Sequence, residues 1–238
     1  MNFFDLHVHS AFSGGESSLE QLASTAKSLG FKGICFAEYY EGKNQLKKLK
    51  EGIEKVKQKI GIDIFLGFEA RSIKELKFLV KIRKEFDILL VRGGGLDLNR
   101  EACKTSEVDI LTHPEYERSD SGLDHVSAKL AAKNQVAIEV NFREILISSK
   151  ATRSKVLANI QNNIKLAKKF KVPIILCSGA ISHWELRDPE CLISFAVQLG
   201  LELKEAKDAI SKTPENIITQ IKERKSGKWI MPGVKVVR

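Results

Sequence analysis

The chain has 238 residues, 43% of them hydrophobic, with only 16 Gly and 5 Pro, a composition typical of one packed globular core. No apolar run approaches the roughly 18 residues of a membrane-spanning helix, and the first residues lack the basic start of a signal peptide. We therefore expect a cytoplasmic protein with no membrane partner. The formal charge of +9 favours a polyanionic partner, nucleic acid before membrane, although a lysine-rich surface alone gives the same sum.

Seven short apolar segments are typical of buried strands. They span residues 3–9, 33–37, 62–66, 88–91, 108–111, 136–140 and 172–177. Between them, apolar residues at spacings of three and four predict helices. Repeated strand–helix units predict an α/β fold, a TIM-like parallel β/α barrel of about seven units, whose usual length of about 250 residues is close to this one.

Beyond the seventh strand the pattern is helical. Asp188-Pro189 and Thr213-Pro214 each predict a helix that begins with a capping residue followed by proline at the first helical position. No boundary divides residues 1–238, so we predict a single barrel domain with extra C-terminal helices. The final stretch, 226–238, is basic, and we expect it to be loosely held.

The four cysteines, Cys35, Cys103, Cys177 and Cys191, include no CxxC pair. Cys35 and Cys177 lie within apolar segments, which favours buried, reduced thiols over disulfides or a zinc site.

The first strand holds two histidines at a spacing of two. Alternation places Phe3, Asp5, His7 and His9 on one face and Phe4, Leu6 and Val8 on the other. Two imidazoles directed into one pocket can bind a metal ion. Glu69 and His113 follow the third and fifth strands, so in a parallel barrel they should lie at the same edge. The alternative interpretation is a set of polar core residues satisfied by their neighbours.

Residues 108–144 form the segment around which the chain is organised, a strand, a helix and a second strand. The helix pattern consists of Leu123, Val126, Leu130 and Ala131. Polar side chains cluster where the two strands end, at His113, Glu115, Asn141 and Arg143. That edge of a barrel is where ligands and chemistry gather.

The segments DLHVHS, GFEA, LTHPE and a strand ending near Ser178 resemble the polymerase and histidinol phosphatase family of metal-dependent phosphoesterases. The resemblance implies a barrel with a multinuclear metal centre. The chain departs from the family pattern twice: residues 37–39 read AEY in place of Thr-Asp-His, and residues 178–183 read SGAISH in place of Ser-Asp-x-His. An Asp and a His of the metal centre are therefore missing or displaced. We expect His7, His9, Glu69 and His113 to be the remnant of a metal pocket, with no tightly bound cluster and no cofactor held by this chain.

A second resemblance covers nearly the whole chain. GGGLDLNREAC, VDILTHPE, RSDSGLDHVSAKLAAKNQVAIEVNF, CSGAISHWELRDPE and the terminal MPGVKVV are similar to the archaeal ribonuclease P protein component 3 family. Its eukaryotic member is the thirty-kilodalton subunit of nuclear RNase P. RSDSGLDH, residues 118–125, is the most specific part, since a phosphoesterase has no need of it.

Membership of that family implies a barrel that binds the catalytic RNA together with a small partner protein. It also implies a role in removing the 5′ leader from precursor tRNA, with Mg²⁺ serving the RNA component. The expected partners are RNase P RNA, precursor tRNA through the holoenzyme, and other RNase P protein subunits.

Four arginines lie after predicted strands or in rim loops, and Arg153 and Lys155 open the helix before the seventh strand. Arginine suits bidentate phosphate contact. The candidate RNA contacts are Arg92, Arg118, Arg143, Arg153, Lys155 and Arg187. Gly93 to Gly95 either bring backbone amides to a phosphate or simply form a tight turn. The lysines of the second helix, such as Lys47 and Lys50, are typical of a solvated face.

The loop 115–125 contains candidate partner contacts, Asp120, Asp124 and His125. Either aspartate could pair with Arg118, which would make that arginine structural rather than an RNA contact. His125 and His183 are expected to form local hydrogen bonds.

Three functions remain open at this point. The first is a non-catalytic protein subunit of ribonuclease P. The second is a metal-dependent phosphoesterase that uses His7, His9, Glu69 and His113. The third is a scaffold whose main partner is another protein.

Overall fold

The computed structural model describes residues 1–226 together with the backbone of residues 229–231 and 234–235. The elements are β1 (Phe4–Val8), α1 (Leu19–Ser28), β2 (Gly33–Glu38), α2 (Lys43–Ile60), β3 (Asp63–Ala70), α3 (Ile73–Lys81), a 3₁₀ turn (Arg83–Glu85), β4 (Ile88–Arg92), α4 (Leu96–Lys104), β5 (Ile110–Thr112), α5 (His125–Asn134), β6 (Ala137–Asn141), α6 (Arg143–Ile147), α7 (Lys150–Phe170), β7 (Ile174–Cys177), α8 (Pro189–Gln198), α9 (Leu203–Ile210), α10 (Lys212–Lys225), β8 (Trp229–Met231) and β9 (Val234–Lys235).

The seven strands β1 to β7 form one parallel sheet in chain order. Beyond β7, Ala180 bridges Val8, and its carbonyl accepts a hydrogen bond of 2.8 Å from the His9 amide. The sheet is thereby nearly closed, and the predicted TIM-like barrel with extra C-terminal helices is confirmed. Isoleucines 217, 218 and 221 of α10 pack with Phe4 and Ile88 of the barrel interior, so α10 covers the amino-terminal end of the barrel.

The predicted alternation of the first strand is wrong in part. Phe4 and Leu6 pack with the barrel interior, whereas Val8 packs in the larger cluster between the sheet and the helices. The cause is a shift in the β1–β2 register between Asp5 and Val8, an irregularity that changes which side chains face inward. His7 therefore faces the interior above Leu6 instead of opposite to it.

The third strand is longer than predicted, because Gly67 belongs to β3 and does not end it. A Cβ at Gly67 would lie 2.7 Å from the Leu90 side chain and 2.9 Å from the Cys35 sulfur. This glycine marks a crowded barrel interior rather than a turn. The longer strand carries Glu69 deep into the barrel, where it is 1% exposed.

The helix boundaries test three further expectations. Asp188 caps α8 and accepts a hydrogen bond from the Cys191 amide at 2.9 Å, as predicted. The Thr213 cap is wrong, because α10 begins two residues earlier with Ser211 as its capping residue. Pro214 still lies in the first turn, where its missing N–H breaks no helical bond.

The predicted apolar stripe of α5 is also wrong in part. Leu123 precedes the helix and Val126 is 40% exposed, whereas Ser127, Ala128 and Ala131 are buried. The small side chains on this face let α5 pack closely against its neighbours. Which face of α5 is buried therefore depends on side-chain size more than on hydrophobicity.

All four cysteines are free, and Cys35, Cys103 and Cys177 are buried, which confirms the predicted reduced thiols. Within the described residues no helix combines the length and the apolar character that a membrane span requires. Apart from Ser226 and strands β8 and β9, the predicted loose tail 226–238 lies outside the described residues.

A buried ion pair fastens α10 to the barrel. Asp109, just before β5, accepts from Arg83 at 2.5 Å, from the Leu89 amide at 2.8 Å and also from Arg224 of α10. The Asp109 and Arg83 side chains are 3% and 8% exposed. Removing one partner from such a site leaves buried charge without compensation, which is costly.

We expect Asp109→Ala to lower the free energy of unfolding by about 3–5 kcal/mol. Asp63→Ala is the matched control, since Asp63 pairs with Lys32 at 3.8 Å through half-exposed side chains, and it should cost less than about 1 kcal/mol. Urea unfolding followed by circular dichroism measures both. Similar losses in the free energy of unfolding of the two variants would contradict a stabilising role for the buried Asp109 ion pair.

A second buried carboxyl holds the loop after β1. Glu38, at the end of β2, accepts from the Ser10 amide at 3.1 Å, from the Ser10 hydroxyl, and from the Ser13 hydroxyl at 2.5 Å. Burial raises the pKa of Glu38 from 4.5 to about 7, although the two serines donate to the carboxylate. The folded protein therefore keeps a proton here that the unfolded chain releases above about pH 4.5.

The free energy of unfolding should consequently fall as pH rises from about 4.5 to about 7, and Glu38 should contribute no further change above that range. Glu38→Gln keeps an acceptor oxygen and has no charge, so its stability should depend less on pH in this window. Denaturant titrations at several pH values compare the two proteins. Parallel curves would show that Glu38 does not titrate between these limits.

Candidate functional site

The four residues predicted to form a remnant metal pocket meet at the carboxyl end of the barrel. Glu69 lies at the centre, with one oxygen 3.7 Å from His7 Nε2 and 3.9 Å from His113 Nε2, and the other 3.8 Å from His9 Nε2. All four side chains are less than a tenth exposed. The longer β3 and the irregular β1 place Glu69, His7 and His9 at the same height along the barrel axis.

Two further carboxylates hold the histidines, and the sequence prediction missed both. Glu139 of β6 lies 2.6 Å from His7 Nδ1 and accepts from the His113 amide at 3.1 Å. Glu144 of α6 lies 2.8 Å from His113 Nδ1. The signal for Glu139 was present, because it alternates with Asn141 on the inward face of a strand whose other residues are apolar.

These contacts give the two histidines of β1 opposite pKa shifts. Burial opposes charge on His7, but the Glu139 carboxylate raises the pKa of His7 to about 9. Burial lowers the pKa of His9 to about 3, although Glu69 opposes the shift. Burial alone would raise the pKa of Glu69, yet the neighbouring His7 lowers it to about 2. The result is a His7 cation between two carboxylates, with His9 neutral beside it.

The donor set fits one cation. One ligand atom from each of His7, His9 and Glu69 lies within 4.8 Å of the others, and they form the one such group among the described residues. Two buried atoms of this cluster, Glu69 Oε2 and His113 Nε2, find no hydrogen-bond partner among the described residues. The type of donor suits a transition-metal ion.

A second metal ion does not fit in the same way. Gly179 stands where the phosphoesterase pattern has Asp, and a Cβ there would lie 2.4–2.8 Å from the amide group of Asn141. Its φ of +65° also disfavours any side chain. At the end of β2, the Glu38 carboxylate accepts hydrogen bonds from the Ser10 and Ser13 hydroxyls. The two departures from the family pattern are thus built into the packing.

Above this cluster a cavity of about 230 Å³ opens at the rim. Its walls include two tyrosines that the sequence prediction missed, Tyr39 and Tyr116, and two candidate RNA contacts, Arg92 and Arg143. Arg92 donates to the Tyr39 hydroxyl at 2.8 Å and lies 4.4 Å from the centroid of the Tyr116 ring. Arg143 is paired with Glu185 at 3.0 Å. A small pocket with cationic and aromatic walls suits an anion with an organic group.

The other candidate cations are not brought into this cavity. Arg153 donates twice to the Ser148 carbonyl, at 2.9 and 2.6 Å. Arg187 donates to the carbonyls of Trp184 and Leu186, at 2.9 and 2.8 Å. Lys155 lies exposed on α7. These arginines hold loops by their own backbone contacts.

The loop 115–125 settles which aspartate pairs with Arg118. Asp120 accepts from Arg118 at 2.6 and 2.7 Å, and Arg118 also donates to the Gly94 carbonyl at 2.7 Å. Asp124 instead caps α5 through the Ser127 amide at 2.7 Å and pairs with Arg100 at 2.6 Å. Arg118 is thus tied to the loop by its own neighbour.

The remaining candidates in these loops are His125, His183 and the glycine run 93–95. His125 is exposed at the start of α5. His183 lies 2.8 Å from the Ser17 hydroxyl, so the predicted local bond is wrong, because its partner is in the loop after β1 and not in its own loop. The Gly93 amide donates to Thr112 O and the Gly94 amide to Asn99 Oδ1, so the glycine run is a tight turn in which these two amides are already bonded.

Known proteins resemble the chain over its whole length. The RNase P subunit p30 family model matches residues 2–226. Ribonuclease P protein component 3 of Methanosarcina mazei is 37% identical, with 99% of this chain and 95% of that protein covered. The component of the same name from Methanocaldococcus jannaschii is 37% identical over 71% of this chain and 73% of that protein.

Solved structures agree with this assignment. A chain in the cryo-EM structure of archaeal ribonuclease P with mature tRNA superposes with a TM-score of 0.82 at 29% identity, covering 99% of this chain and 98% of that one. The hisK protein of Listeria monocytogenes, described as a histidinol phosphatase, shares the fold with a TM-score of 0.55 at 14% identity, covering 77% of this chain and 97% of that one. The match across residues 2–226 and the full-length relatives show that the chain belongs to the RNase P subunit p30 family.

Proposed function

We propose that the chain serves ribonuclease P as an RNA-binding subunit that does no chemistry itself, while the RNA component removes the 5′ leader from precursor tRNA. The match of residues 2–226 to the p30 family carries this proposal. Its partners are the RNase P RNA, precursor tRNA through the holoenzyme, and other protein subunits, including a small partner protein. Mg²⁺ serves the RNA, and the complex works in the cytoplasm.

The physical role of the chain is to neutralise and position RNA phosphates. An excess of nine positive charges supplies the long-range attraction. Arg92 and Arg143 at the mouth of the barrel are held by Tyr39 and Glu185, so less side-chain freedom is lost when they meet a phosphate. Such contacts position an RNA without reading its sequence.

The phosphoesterase alternative has weaker support. The residues present fit one metal ion, whereas Gly179 supplies no carboxylate where the phosphoesterase pattern has Asp, and the Glu38 carboxylate is bonded to Ser10 and Ser13. If an ion binds, His7, His9 and Glu69 would hold it, and it would supply Lewis-acid chemistry at the pocket floor. The histidines already have a structural task in compensating Glu69 and Glu139.

We expect the protein purified without chelator to contain well under one equivalent of Zn, Mn or Fe and to lack phosphodiesterase activity. Glu69→Gln, close in shape and uncharged, should process precursor tRNA at close to the wild-type rate once assembled into the holoenzyme. Elemental analysis and cleavage assays measure both, with thermal unfolding as the control for folding. Two or more metal equivalents, with a phosphodiesterase activity that Glu69→Gln removes, would favour the alternative.

RNA affinity should weaken strongly with added salt, with a log–log slope of about −0.7 to −0.9 per neutralised phosphate. Arg143→Ala should make this slope shallower by about one unit for each phosphate contact removed. Lys47→Ala removes the same charge from the solvated face of α2 and should change it much less. Salt titrations of the complex reconstituted on RNase P RNA compare the three proteins. Equal, small losses of RNA affinity in both variants would indicate diffuse electrostatic attraction and no defined RNA contact at the pocket.

A further inference from the structure

An open groove of about 790 Å³ lies beside the pocket, between the loops that follow β3, β4 and β5. It is lined by three arginines, Arg71, Arg92 and Arg118, and shares Arg92 and Tyr116 with the pocket. Arg71 was not among the residues predicted from the sequence. Its side chain is half-exposed, and it directly follows the end of β3.

Arginine and tyrosine alternate where the groove meets the pocket, with Tyr39 on the pocket side and Tyr116 shared by both. The Arg71 guanidinium lies 4.3 Å from the centroid of Tyr39, whose hydroxyl accepts from Arg92 at 2.8 Å, and Arg92 in turn lies 4.4 Å from the centroid of Tyr116. Two guanidinium groups therefore lie over aromatic rings. Such stacking fixes the plane of a guanidinium while it keeps its charge.

The tyrosines themselves are not free for stacking with a base. Tyr39 packs at 5.2 Å against the ring of His9, and Tyr116 at 5.2 Å against the ring of His113, in addition to the arginines. Their part is to position Arg71 and Arg92. A ligand of this groove meets guanidinium edges and not exposed aromatic faces.

The charges around the groove sharpen its selectivity. Arg118 is neutralised by Asp120, Glu75 lies 3.4 Å from Arg71, and Asp97 and Glu117 also line the groove. A bulk excess of positive charge is therefore absent among these described residues. Attraction must come from the oriented pair, Arg71 and Arg92, at short range, which matches the bidentate geometry of arginine with phosphate oxygens.

We propose that this groove binds the phosphodiester backbone of an RNA strand, with Arg71 and Arg92 each donating to a phosphate and Tyr39 and Tyr116 positioning them. The proposal rests on the RNA-binding role given above and narrows it to one sector of the rim. Because the aromatic faces are covered, the groove recognises backbone and is indifferent to base sequence. An acidic segment of a protein subunit is the competing occupant.

The first test removes Arg71 from the full-length chain in ribonuclease P reconstituted from the RNA and all its protein subunits. Arg71→Ala should weaken RNA affinity by about tenfold at low salt, the effect of losing one charge-assisted hydrogen bond. It should also make the salt slope shallower by about one unit. Arg71→Lys keeps the charge but lacks the planar guanidinium, so its RNA affinity should lie between those of wild type and Arg71→Ala. Lys77→Ala, which removes an exposed charge from α3 outside the groove lining, is the control and should stay within about twofold of wild type.

The outcomes separate this inference from the proposed function. Salt-dependent RNA binding by wild type, with Arg71→Ala equal to Lys77→Ala, overturns the groove and leaves the function standing. A wild-type chain that adds nothing to RNA binding or precursor tRNA cleavage overturns the function itself. Loss of one protein subunit from the Arg71→Ala complex, with RNA affinity of the remainder unchanged, assigns the groove to a protein.

A second test locates the RNA without altering the arginines. Leu96 is 52% exposed and lines the groove, and Leu203 is 56% exposed on α9. Fe–EDTA tethered to Leu96→Cys should cut the RNA backbone at one confined region, whereas the same probe on Leu203→Cys should not cut there. The unsubstituted chain gives the background from Cys191, the one cysteine that is not buried. Absence of Leu96-directed cutting in an assembled, active complex would rule out the groove.

Discussion

Three carboxylates, Glu69, Glu139 and Glu144, are buried at one end of the barrel, and their burial depends on imidazoles. An uncompensated carboxylate in such a position costs several kcal/mol. His7 lies between Glu69 and Glu139, and the pKa of His7 is raised so that it carries a positive charge where burial alone would remove it. The HxH spacing thus serves stability in this chain, whatever else it binds.

The same contacts give the His-x-His motif a structural role that does not require a metal ion. The second ligand sphere of a metal enzyme, a carboxylate bonded to the far nitrogen of a histidine, has the same geometry as the His7–Glu139 and His113–Glu144 pairs. Replacing one of these histidines would leave a buried carboxylate without a partner to compensate its charge. Gly179 and Glu38 take no part in this compensation, since Gly179 has no side chain and Glu38 is bonded to Ser10 and Ser13.

The sequence predicted the barrel and the meeting of His7, His9, Glu69 and His113, because both follow from periodicity and from the common edge of parallel strands. It did not predict the irregular β1 or the length of β3, because both depend on contacts with neighbouring strands. The predicted strand ended before Gly67, yet this residue lies within β3, where Leu90 and Cys35 leave no room for a side chain. Local pattern carries no information on such long-range crowding.

The candidate RNA-contacting arginines also depend on contacts that the sequence does not reveal. Among the candidates chosen by their place after strands, Arg118, Arg153 and Arg187 are engaged by an aspartate or by carbonyls of their own loops. Arg71 was overlooked, since nothing in the sequence indicates that Tyr39, more than thirty residues earlier, lies beneath it.

The availability of an arginine for phosphate therefore depends on what already holds its guanidinium. A carboxylate that accepts two bonds, as Asp120 does from Arg118, occupies those donors and offsets the charge, whereas an aromatic ring leaves donors and charge in place. Arg92 meets this criterion fully, since Tyr39 and Tyr116 hold it. Arg71 meets it in part, because it lies over Tyr39 while one of its donors reaches Glu75 at 3.4 Å.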